Sequence, residues 1–120
     1  MTQAEDATAA PTVSRFHTRL KPRPAEAFLS VRALALSLGP DVVEQVTESS
    51  VIYLRRVKPF LTVHAAKSRL NVAFPRELSL DDPHGRLLKR GEEKYVSLEG
   101  PEGVDGHVQE FVRKAYTALR

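Results

Sequence analysis

Four histidines, His17, His64, His84 and His107, are the side chains best able to hold a metal or move a proton near neutral pH. None lies i,i+4 from another, and none has a carboxylate at ligand spacing, so each reads as structural or solvated. Asp81-Asp82-Pro83-His84 gathers two carboxylates and an imidazole, a set suited to a divalent cation or to acid–base work. The Gly and Glu positions of a calcium loop are missing, however. Asp-Pro followed by Gly85 is turn chemistry, so a solvated turn is expected. Gly100, Gly103 and Gly106 precede a helix, as in a phosphate cradle. The Lys-Ser/Thr pair of such a loop is absent, and Glu102 and Asp105 would repel phosphate. Ser, His and Asp occur without a nucleophile elbow. We therefore predict no catalytic residue, no metal site and no cofactor, and the sequence leans away from an enzyme.

Charge offers more. The net charge is +3, unevenly spread. Between Ser49 and Arg76 no residue is acidic, while Arg55, Arg56, Lys58, Lys67, Arg69 and Arg76 are basic. From Glu77 to Glu110 acids dominate. Two such segments can neighbour and neutralise each other. Alternatively, the basic stretch forms a strand surface that binds nucleic acid. Tyr53, Arg55, Arg56, Lys58, His64, Lys67, Arg69 and Asn71 are its candidate residues. Cations would meet phosphates, and the aromatic would stack on a base. Arg15, Arg19, Lys21 and Arg23 add a basic arm.

These residues need elements to position them. Residues 1–13 read as a disordered tail, and 14–120 as a single α+β domain. Ser14 to Arg23 reads as a basic, Pro-punctuated arm, with Phe16 and Leu20 as anchors onto the core. Pro24 opens a helix to about Leu38, with Phe28, Val31, Leu34, Ala35 and Leu38 on one face. Gly39 and Pro40 stop it. Val42–Thr47 is a weaker strand, followed by Val51–Val57 and Phe60–Ala65, with a turn at Lys58-Pro59. Arg69–Phe74 alternates cleanly, with Leu70, Val72 and Phe74 inward and Arg69, Asn71 and Ala73 outward. Connections this short join antiparallel neighbours, which makes a meander. Pro75–Glu93 is a long polar loop with a helical turn at Arg86–Lys89, and Lys94–Leu98 is a final strand. Val104, Val108, Phe111, Val112, Ala115 and Leu119 form the stripe of a closing helix. Gly103 and Gly106 weaken its first turn, so the stable portion begins near Asp105. The expected architecture is an antiparallel sheet of four to five strands with an N-terminal and a C-terminal helix on one face.

The chain contains no Cys, which excludes disulfides, iron–sulfur clusters and cysteine-based zinc sites. No export signal or membrane-length apolar run is read, so a cytoplasmic location without membrane contact is expected. The pattern resembles the bacterial family known as domain of unknown function 5655. Ser37-Leu38-Gly39-Pro40, Ser50 to Tyr53, Phe60 to Val63 and Lys67 to Phe74 carry the likeness. Val104-Asp105, Phe111-Val112 and Ala115-Tyr116 close it, so that it covers Phe16 to Leu119. The resemblance implies no catalytic residue, substrate or cofactor. Some relatives carry a predicted-transport label, and others are joined to nuclease-like domains. The function expected is that of a non-enzymatic binding module, with a protein partner or self-association favoured and nucleic acid as the alternative.

Overall fold

The hydroxyl of Thr12 accepts a hydrogen bond from the Arg15 N–H at 3.1 Å and so caps the first helix, α1 (Val13–Arg19). The structure, a computed structural model, describes residues 11–119. Residues 1–10 of the expected tail lie outside the described residues. The first half of the basic arm is thus helical. Val13, Phe16 and Leu20 line one side of it and pack on the core. Phe16 is buried against Phe28, with ring centroids 5.1 Å apart.

The second helix, α2 (Pro22–Ser37), starts two residues before the expected Pro24, since Pro22 also fits a first turn that needs no N–H. Ala27, Phe28, Val31 and Ala35 are fully buried beneath it. Gly39 follows the C-cap Leu38, where the helix was expected to stop, and its lack of a side chain has a further use. A Cβ there would collide with the Tyr116 hydroxyl and the Asp41 carboxylate, so glycine permits a close approach.

The strands are β1 (Val42–Val46), β2 (Ser50–Arg55), β3 (Lys58–Ala66), β4 (Arg69–Phe74), β5 (Leu88–Arg90) and β6 (Glu93–Leu98). They form one antiparallel sheet of six strands in the order β1-β2-β3-β4-β6-β5. The expected meander holds from β1 to β4. It then gives way, because β5 lies outside β6 at the far edge and raises the strand count to six. The turn between β2 and β3 is Arg56-Val57, both at positive φ (54° and 60°), with Arg55 directly opposite Lys58. Lys58-Pro59 therefore opens β3 instead of forming the turn. Pro59 sits opposite Leu54 beside a register shift, where a missing N–H does least harm. The predicted helical turn at Arg86–Lys89 is replaced by the start of β5.

A 3-10 turn (Pro101–Gly103) leads to α3 (Gly106–Thr117). Asp105 caps α3 by accepting from the N–H groups of His107 and Val108, both at 3.1 Å. The helix thus begins where the glycines predict. Val51, Val63, Val72 and Val96 are opposed across four strands and join Phe28, Val31, Val108 and Phe111 in one core. Helix cover therefore lies on one face of the sheet. The opposite face carries no helix among the described residues.

Candidate binding face of the sheet

Strand alternation gives the uncovered face two rows of side chains across the register. Ser50, His64, Asn71 and Ser97 form one, and Ile52, Thr62, Ala73 and Tyr95 the other. Small side chains at Ala66 and Ala73 leave an open hollow of about 320 Å³ between His64, Asn71, Tyr95 and Arg90. The Asn71 Oδ1 in its lining is shielded from solvent and accepts no hydrogen bond. Such an atom costs stability unless something donates to it. The Arg90 guanidinium stands 5.8 Å from the Tyr95 ring centre, at the rim. Glu93, also lining the hollow, opposes Arg90 across the strand pair, so the rim carries both signs of charge.

The structure separates the eight residues picked from the sequence. His64 and Asn71 share the hollow. Tyr53 faces inward and is buried, contrary to the exposed stacking role assigned to it. Its hydroxyl donates to Glu44 at 2.8 Å. Burial first, and that hydrogen bond second, push the phenol above its usual range. Arg55 also faces inward. Its Nε donates to Asp41 at 2.9 Å, its Nη1 donates to the Tyr116 carbonyl at 3.0 Å, and its guanidinium lies 4.0 Å over the Tyr116 ring. Tyr116 in turn donates its hydroxyl to Asp41 at 2.6 Å. That hydrogen bond, then the one from Arg55, holds the Asp41 carboxyl below the ordinary range.

Arg69 faces outward as expected but is engaged. It donates to Ser97 Oγ at 2.7 Å and to Glu99 at 2.6 Å. Arg76 likewise meets Glu92 at 2.7 Å. The basic middle and the acidic segment after it are therefore neighbours. Arg56 and Lys58 lie exposed at one end of β3 and Lys67 at the other. The strand between them spans nine residues, or about 30 Å. No single cationic surface is assembled from these side chains.

Sequence reasoning missed Tyr95 and Arg90, and it placed Ala73 outward without giving it a role in the site. Tyr95 was within reach, because it alternates with Val96 in a strand that was predicted. Arg90 was not, since its strand is three exposed residues long. The Asp81–His84 loop holds itself together. The Asp82 carboxylate accepts from the N–H groups of Arg86 at 2.7 Å and Leu87 at 3.0 Å, and the Leu87 hydrogen bond is the main cause lowering its pKa. His84 and His107 stack edge-on with centroids 4.2 Å apart. No group of three or more His, Asp or Glu is placed to hold a metal ion among the described residues. No helix among them is long and apolar enough to cross a membrane.

Taken together, fold and face define an α+β domain with a one-sided helical layer and a bare, mixed-polarity sheet surface. The family described as Domain of unknown function (DUF5655) matches residues 20–118, and the chain belongs to that family. No curated protein and no solved structure matches it.

Proposed function

We propose that the domain is a non-enzymatic binding module that docks a protein partner on the bare face of its sheet. The observation that carries this reading is the buried, unpaired acceptor of Asn71 in the hollow of that face. A donor from a partner would satisfy it once the Asn71 amide turns into the hollow. Half-buried Tyr95 in the lining, and Ile52 in the same cross-strand row, supply apolar contact, and Arg90 and Glu93 supply a rim of both signs. Small-molecule pockets are deeper and mainly apolar. This hollow is open and polar, and closer in kind to a protein-docking surface.

Asn71→Val tests the idea. Removing an unsatisfied polar atom should leave stability unchanged or raise it by about 1 kcal/mol. Partner capture should fall sharply, and His64→Glu should act in the same direction. Capture by both variants at the wild-type level would sink the reading. Steep salt dependence of binding to nucleic acid would favour the other one.

A further inference from the structure

The sheet has two edges, and they are unequally defended: the one inward-pointing charge of β1, Glu44, is neutralised by Arg32. β5 is three residues long and reads Leu-Lys-Arg. Shortness and charge are what usually blunt a strand edge. β1 reads Val-Val-Glu-Gln-Val over five residues, without Lys, Pro or a register shift. Its hydrogen bonding tells which backbone groups are free. Thr47 N–H donates to Ser50 O at 2.8 Å directly across the hairpin. Bonded and non-bonded pairs alternate in an antiparallel ladder. Val43 and Gln45 therefore turn their backbone groups toward β2, and Glu44 and Val46 turn theirs outward. Among the described residues, no strand pairs with that side.

The helix above adds apolar surface. Arg32 donates to Glu44 through Nε at 2.8 Å and Nη2 at 3.1 Å, which places that flank of α2 beside β1. Leu29 and Leu36 lie three residues before and four after Arg32, on the same side of the helix. They are 49% and 37% exposed. Val43, on the opposite face of β1, is 58% exposed. Apolar groups thus border the free edge from above and below.

We propose that β1 is a self-association edge, which pairs antiparallel with β1 of a second copy about a twofold axis. With the axis at Gln45, Glu44 of each copy exchanges backbone hydrogen bonds with Val46 of the other. The two Gln45 side chains then meet, and the two Glu44 carboxylates avoid direct opposition. Charge complementarity favours a second copy as the occupant. The patch holds one cation and one anion side by side, Arg32 and Glu44, and a twofold axis repeats them as a neutral, alternating cluster. A short edge with two leucines falls below the ~800 Å² per partner of a tight complex, so the dissociation constant should be on the order of 10–100 µM. The contact does not use the hollow on the bare face, and neither proposal needs the other.

Sedimentation velocity on the full chain, from about 1 µM to about 1 mM, should show mass moving from monomer to dimer. Val46→Pro removes an outward N–H and leaves the ladder to β2 intact, so it should weaken the dimer by about tenfold or more. Leu36→Lys should act in the same direction from the helix surface, and it keeps the test open if the proline variant fails to fold. His64→Glu should change nothing here. A wild-type chain that stays monomeric throughout overturns the proposal. So does a dimer that a folded edge variant leaves intact. A different strand captured on β1 without any dimer counts as the monomer result.

Discussion

At the scale of single residues, the sharpest departure from expectation is at β2. Alternation told correctly which residues share a face, but not which face is inside. On β4 the question answers itself, because Leu70, Val72 and Phe74 alternate with Arg69 and Asn71. On β2, Val51 and Tyr53 alternate with Ile52 and Leu54, and both sets are apolar. Placing the polar-tipped Tyr53 and Arg55 outside is the natural reading. It fails because Glu44 and Asp41 wait for them on the covered side. Burial of a hydroxyl or guanidinium is tolerable when its hydrogen bonds are met inside. No sequence rule announces such a partner. A second departure can be tested. The β2–β3 turn sets Val57 at φ 60°, a left-handed conformation that β-branched residues resist. Its side chain is 89% exposed, so no packing repays the strain. Val57→Gly should stabilise the protein by about 1 kcal/mol, read as a higher midpoint in urea. A lower midpoint would contradict the strain.

At the scale of elements, strong periodic signals translated directly, and short or charged elements did not. The closing helix carries its apolar stripe over three turns and starts at a capping aspartate, so it was legible. Asp105→Ala should remove that cap and cost about 1 kcal/mol in thermal or denaturant unfolding. The loop packed beside α3 should loosen with it, since Arg86 also pairs with Asp105. An unchanged stability would mean that the cap is redundant. α1 was hidden because one apolar stripe runs among Arg15, Arg19 and a nearby proline. β5 was hidden because three exposed residues have no period. The join between the α2–β1 connection, β2 and α3 was also invisible, since it rests on contacts between Asp41, Arg55 and Tyr116 across 75 positions of sequence. It has a pH signature. The folded-state pKa of Asp41 lies below its usual 3.8, so its contribution is complete above that value. The contribution is lost as pH falls through the depressed pKa. Acid unfolding of Tyr116→Phe should therefore show a weaker pH dependence below about pH 4 than wild type. Parallel acid curves for the two proteins would refute this.

At the scale of the whole molecule, the α+β class and the one-sided helical layer were legible because they follow from two amphipathic helices flanking strands. The candidate site was legible only in part. His64 and Asn71 were found by period, but the hollow they share depends on the register that brings Tyr95 and Ala73 beside them. The resulting asymmetry predicts how stability is distributed. If helix cover decided protection, amides would be ranked by their distance from α2 and α3. If strand pairing decides it, β3 and β4 should be the slowest to exchange, because each is bonded on both sides to strands that are themselves paired on both sides. We expect pairing to win, since a strand bonded on both sides cannot open without breaking two ladders at once. In hydrogen exchange, the protected amides of central β3 and β4 should open only with global unfolding. The β5 amides should exchange by local fraying at much lower free energy, and the outward-facing amides of Glu44 and Val46 should exchange fast in dilute solution. If β5 is protected as strongly as Val63 and Val72, the three-residue edge is held by something other than its single pairing to β6. The stability ranking drawn from the sheet order would then be wrong.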